Sequence, residues 1–184
     1  MAKRLETILV IDVESTCWEG SPPEGEVSEI IEVGLCPLDV ATLERGEKLS
    51  LLIKPELSSV SPFCTQLTTI RPEDLAAAGS FADACRRLRR EFHSRDCVWA
   101  SWGDYDRVQF ERNCERLGVS YPFGRRHINA KTLHALAAGL PRELGMAQAL
   151  EREGLPLVGT HHRGHDDAWN IAGLLATVLG RARG

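Results

Sequence analysis

The sequence predicts a single α/β domain built on a mixed sheet. Three observations carry that expectation. Residues 6–13 form a near-continuous apolar run, the mark of a central strand covered on both faces. Two further strand-like runs, 29–39 and 48–54, come before any long helical pattern. From residue 80 onward, amphipathic stripes with caps alternate with short strands.

The elements follow in order. The first strand covers 6–13, and the Gly-, Pro-, Ser- and Glu-rich stretch 17–28 reads as a loop. Strands at 29–39 and 48–54 are joined by a polar turn around Thr42 to Gly46. Segment 61–79, with Pro62 and Pro72, is irregular with short helical pieces. Ser80 and Asp83 form a capping box, and Phe81, Cys85, Leu88 and Phe92 then recur at helical spacing. A strand at 97–102 leads to a helix at 105–117 stopped by Gly118. A short strand near 127–129 precedes a helix through Leu136, and another helix over 143–153 ends at Gly154. The last helix runs over about 165–179.

The 184 residues suit one domain, with 43% hydrophobic and 26% charged residues. The net charge is -4, which argues against a generally basic coat for nucleic acid but not against a local basic path. Residues 1–60 hold 5 basic and 12 acidic side chains, net -7; residues 61–184 hold 17 and 14, net +3. No apolar run approaches the ~20 residues of a membrane span. Residues 1–4 carry Lys3 and Arg4, and the apolar stretch 8–11 after them is shorter than the ~7–15 residues of a signal-peptide core. A cytoplasmic protein without a membrane partner is the expectation. The six cysteines include no C-x-x-C pair, so free, mostly buried thiols are expected rather than a disulfide framework or a structural zinc site.

Chemistry is concentrated in carboxylates. Asp12 and Glu14 sit two apart at the carboxyl end of the first strand and so share a face. Open α/β sheets place ligands at that end. Two carboxylates there repel unless a cation lies between them, and an all-oxygen set suits Mg²⁺ or Mn²⁺. Taken alone, a D-x-E pair is more often a solvated strand end. Asp106 shares its helix face with Phe110, Cys114 and Leu117, and a carboxylate heading an inward stripe needs a partner or a metal. Asp104 lies off that stripe. In the last helix Asp167 aligns with Ile171, Leu174, Leu175 and Val178, whereas Asp166 aligns with Asn170 and Thr177. Asp167 is thus the better ligand and Asp166 the better capping residue. His161, His162 and His165 cluster just before it, and a histidine there can deprotonate a water beside a metal. A zinc site made of these three histidines is the weaker option, since the nearby acids suit harder ions.

The pattern Asp12-x-Glu14, Asp106, and His162 five residues before Asp167 resembles the DEDDh 3′–5′ exonuclease superfamily. The segments 11–17, 19–23 and 29–32, then Pro62-Phe63-Cys64 with Leu67-Thr68, resemble its Eri-type and KapD-like branch, over about residues 5–180. The resemblance implies a ribonuclease H-like fold, a five-stranded mixed sheet flanked by helices. It implies two Mg²⁺ (or Mn²⁺) ions on Asp12, Glu14, Asp106 and Asp167, with Asp106 acting through water. It implies His162 as general base beside the catalytic acids Asp12 and Glu14. The expected substrate is single-stranded nucleic acid, RNA favoured over DNA, cut from the 3′ end to nucleoside 5′-monophosphates. A proofreading-type DNA exonuclease and a KapD-like regulatory partner-binding protein are the alternatives. Ser15, Thr16, Trp18, Phe63, Leu67, Thr68 and Met146 are the expected substrate contacts, by analogy with the branch. The family usually has Thr-Gly where this chain has Thr68-Thr69, so Thr69 is expected to narrow the pocket. Arg125, Arg126, His127 and Lys131 are candidates for a phosphate path, and Arg86, Arg87, Arg89 and Arg90 read as a solvated helix face.

Overall fold

The computed structural model describes residues 5–184. The short basic start read at residues 1–4 lies outside the described residues. An antiparallel meander comes first: β1 (Thr7–Ser15), β2 (Ile30–Asp39) and β3 (Leu49–Leu52). After α1 (Pro62–Thr68), α2 (Pro72–Leu75) and α3 (Phe81–Glu91), β4 (Val98–Ser101) enters parallel to β1. Helix α4 (Tyr105–Leu117) leads to β5 (His127–Asn129), parallel to β4. Helices α5 (Ala130–Ala137), α6 (Met146–Glu153) and α7 (Gly164–Ala182) complete the described chain. The sheet order is β3-β2-β1-β4-β5, so the expected five-stranded mixed sheet is present.

Strand parity divides the core. Leu9, Ile11 and Val13 of β1 pack with Phe81 and Leu88 of α3 and Phe110 of α4. Ile8 and Val10 face the other way, onto Ile171, Leu174 and Leu175 of α7. Each such buried aliphatic side chain stabilises by roughly 1.5–3 kcal/mol. Because side chains alternate, the even face of β1 continues from Val10 to Asp12 and Glu14. The same geometry that buries the strand thus aims both acids at the start of α7.

Helix α7 lies very close to the sheet there. A Cβ on Gly34 of β2 would fall 1.8 Å from the carbonyl carbon of Gly164, so no side chain fits at position 34. On the other edge β1 and β4 part company. Their pairing ends at Val10↔Ala100, leaving the amide of Val13 without a strand partner on that side. This opening is the crevice expected at the carboxyl ends of parallel strands.

Local signals in the sequence act as expected. Ser80 and Asp83 cap α3 reciprocally, and Gly118 and Gly154 end α4 and α6 in left-handed conformation. Helix α6 starts at Met146 rather than 143, because Gly145 is extended and the Leu144 carbonyl accepts the Trp102 indole N–H. Asp166 does not cap α7. Arg163 holds the cap position, while the buried Asp166 carboxylate accepts the Thr160 amide and pairs with Lys48. Helical periodicity could not foresee a ligand arriving from a distant strand edge. Arg86 pairs with Asp83 and Arg87 with Glu91 on an exposed face of α3, as expected of a solvated surface. Among the described residues none of the six cysteines is in a disulfide, and no helix is long and apolar enough to cross a membrane.

Candidate active site

The crevice widens into a cavity of about 330 Å³, lined by Asp12, Glu14, Asp106, His162 and Asp167 among others. Carboxylate oxygens of Asp12, Glu14 and Asp167 all lie within 4.8 Å of one another. Asp106 stands beside this group of three. Its Oδ1 accepts the stranded Val13 amide at 2.9 Å, which fixes the head of α4 to β1 between the two strand acids.

These acids are costly to ionise together. Burial pushes Asp12 well above the ordinary carboxylate range, and Asp106, Glu14 and Asp167 push it further. Burial, then Asp167 and Glu32, raise Glu14 to about 8. Burial raises Asp106 to about 7 against the hydrogen bond from Val13. Asp167 is raised by burial, with His161 and the His162 amide working the other way. An all-oxygen donor set that repels itself in this way fits a hard divalent cation, which supplies the missing positive charge.

The loop before α7 presents two histidines differently. His161 directs Nδ1 at both oxygens of Asp167, at 2.9 and 3.2 Å. His162 binds the same carboxylate through its backbone amide at 2.9 Å and adopts a left-handed φ of 63°. The two rings stack with centroids 4.0 Å apart. Burial and the neighbouring His161 hold the His162 imidazole below its ordinary pKa. His165 does not join them. Its Nδ1 meets Glu32, so the three-histidine cluster considered from sequence does not form.

The expected substrate contacts divide sharply. Ser15, Leu67 and Met146 line the cavity. Trp18 and Phe63 are not among its walls. Thr16 and Thr68 are not among the walls and are fully buried, with their hydroxyls spent on backbone. Thr16 Oγ1 donates to the Val27 carbonyl and accepts the Glu29 amide. Thr68 Oγ1 donates to the Cys64 carbonyl and accepts the Ile70 amide. Thr69 is not among the walls either. It ends α1 at a φ of 63°, and its hydroxyl accepts from Arg163 at 3.4 Å. Glycine suits that conformation without strain, which accounts physically for the Thr-Gly habit of the resembled family. Of the basic candidates, Arg126 is tied to the Asp96 carbonyl, and His127 contacts Ser101 and lies tilted against the Trp99 ring, 4.2 Å between centroids.

Sequence reasoning passed over several residues. Trp102, Tyr105 and Cys17 also line the cavity. Glu32 was noticed only within the resembling segment 29–32. It is fully buried, accepting from Ser50 Oγ, the Gly164 amide, Arg163 and His165. The available signal was an acid in the apolar interior of a strand, which burial obliges to be partnered.

A sheet of this order, with acids at the end of its central strand and on the helices beside it, is the build of a ribonuclease H-like nuclease. Within that class the chain belongs to the exonuclease family RNase_T, whose model matches residues 9–175. It is 29% identical over 183 residues to 3′-5′ exoribonuclease 1 of Rattus norvegicus, covering 94% of this chain and 52% of that protein. The chain therefore spans about half the length of that relative. It is 26% identical over 194 residues to the 3′-5′ exonuclease Snipper of Drosophila melanogaster, covering 94% of this chain and 69% of that one. Among solved structures it is similar to the nuclease domain of 3′hExo, a DEDDh family member, bound to rAMP. That match has a TM-score of 0.88 and 27% identity, covering 98% of this chain and 95% of the other.

Proposed function

We propose that this chain is a single-domain, metal-dependent 3′–5′ exonuclease that releases nucleoside 5′-monophosphates from single-stranded RNA. The observation that carries the reading is the convergence of Asp12, Glu14 and Asp167 within 4.8 Å in a cavity that also holds His162. The RNA preference rests on the relatives named exoribonuclease and on a similar nuclease domain solved with rAMP. Six cysteines without a disulfide among the described residues suit a reducing, cytoplasmic setting.

Asp12, Glu14 and Asp167 would hold two Mg²⁺ or Mn²⁺ ions, with Asp106 contributing from outside this group through water. When bound, such ions neutralise the phosphate and the leaving 3′ oxygen and favour ionisation of the attacking water. The protein's own work is placement and proton transfer. His162, lowered below its ordinary pKa, is unprotonated at neutral pH and accepts the proton of the attacking water. Leu67 and Met146 supply apolar surface for the terminal base, which such contact holds without regard to its identity.

The test is incubation of 3′- and 5′-labelled RNA and DNA oligonucleotides with Mg²⁺ or Mn²⁺. A 3′-shortening ladder on RNA that disappears in Asp12→Asn is expected. Equal degradation by wild type and Asp12→Asn, or cleavage of a circular substrate, would sink the reading.

A further inference from the structure

Asp167 belongs to two sets of donors. One is the all-oxygen group with Asp12 and Glu14; the other joins it to the imidazoles of His161 and His162, with ligand atoms again within 4.8 Å. We propose that His161, His162 and Asp167 form a second cation site, selective for a borderline transition ion such as Zn²⁺, that competes with the hard-ion site for Asp167.

The donor chemistry separates the two sets. Two imidazoles and one carboxylate are ligands that zinc takes readily, whereas Mg²⁺ prefers oxygen in octahedral array. Asp167 is held ready for such an ion: its side chain is buried, and the His162 amide fixes Oδ2. His161 already directs Nδ1 at Asp167 at 2.9 Å, so an ion replaces the proton of that hydrogen bond. The left-handed backbone at His162 brings consecutive side chains to one side, where their rings stack rather than diverge. Three protein donors leave a fourth position open to the cavity, the arrangement of an accessible rather than a sealed zinc site. Arg163 and His165, the flanking residues, are engaged by Glu32 and so anchor the loop without entering the donor set.

Occupation of this site removes both Asp167 and the His162 imidazole from the reaction. Zinc would then inhibit turnover supported by Mg²⁺, a consequence that rests on the proposed nuclease reading. Binding itself does not rest on it. The experiment is calorimetric titration of Zn²⁺ into chelator-treated protein in excess Mg²⁺, for wild type, His161→Gln and Asp12→Asn. One ion should bind to wild type, with affinity lowered about tenfold or more in His161→Gln and unchanged or raised in Asp12→Asn, which weakens the competing Mg²⁺. The opposite ranking, or no binding to wild type, overturns the proposal. Co²⁺ provides a second readout: visible bands without a thiolate charge-transfer band are expected, and a thiolate band would move the ion to a cysteine. In the nuclease assay, His161→Gln should need about tenfold more Zn²⁺ for half-inhibition, each protein measured against its own zinc-free rate. Absence of any RNA cleavage in Mg²⁺ would remove the nuclease reading and leave the calorimetric result standing.

Discussion

Glu14 and Glu32 face each other directly across β1 and β2, both buried, and they behave in opposite ways. Glu14 is pushed up to about 8 by burial and by other acids. Glu32 suffers burial too, but hydrogen bonds from Ser50, His165 and Arg163 outweigh it and hold Glu32 below its ordinary value. Sequence position, strand and residue type are nearly matched. The difference is what the rest of the fold supplies. Glu32 receives donors from β3 and from the start of α7, so its charge ties the histidine loop to the sheet. Glu14 receives further carboxylates, so its charge awaits a cation. A buried acid completed by the protein is structural, and one left incomplete marks where something else must bind.

The comparison can be broken at either residue. The largest effect expected is on catalysis: Glu14→Gln should lower the Mg²⁺-supported rate by about 10²–10³-fold or more while raising the melting temperature without metal. Single-turnover kinetics and thermal melts read the two quantities. A loss of stability in that variant would place Glu14 with Glu32 as a structural acid. His162→Ala should cost about 10²–10⁴-fold in rate with Mg²⁺ binding retained, measured by calorimetry beside the kinetics.

Glu32→Gln should do the reverse in the folding assay. It puts an amide among donors and should cost about 3 kcal/mol or more of stability in denaturant titrations. A variant as stable as wild type would show that the network around Glu32 contributes little.

The two acids also predict a pH dependence. Glu14 binds its proton more tightly when folded, so it stabilises the folded form less as pH rises from its ordinary 4.5 to about 8. In chelator, stability should fall across that window by up to a few kcal/mol, and divalent ions should restore it at the alkaline end. Glu32 has the opposite sign: its contribution is lost as pH falls through its lowered folded value. A melting temperature that rises from pH 5 to 8 in chelator would contradict the assignment for Glu14.

The smallest effect sharpens the loop side of the contrast. Thr69→Gly relieves a β-branched residue of its left-handed φ, worth roughly 1 kcal/mol, against the loss of the weak contact to Arg163. Denaturant midpoints should move up slightly. A clear drop would mean that the Thr69 hydroxyl matters to the Arg163 and Glu32 anchor.

Much of this was legible beforehand because it depends on short-range geometry. Alternation along 8–14 puts Ile8, Val10, Asp12 and Glu14 on one face whatever the strand packs against. The stripe Asp106, Phe110, Cys114 likewise selects Asp106 over the exposed Asp104, and the structure buries Asp106. The threonines were less legible, because a hydroxyl at a wall and a hydroxyl spent on backbone look identical in sequence. Thr16 and Thr68 are distinguished only by the carbonyls and amides that the fold brings to them.

The sequence by itself determined the strand parity, the Ser80 capping box, the glycine stops of α4 and α6, and the placing of acids on inward faces, since these follow from local backbone geometry over a few residues. The tertiary structure alone decided the loop before α7. Its course is set by Arg163 reaching Glu32, by Asp166 reaching Lys48, and by Gly34 allowing Gly164 to approach. Those partners lie more than 90 residues away along the chain, beyond any local pattern. They determine that His161 turns to Asp167 while His165 turns to Glu32.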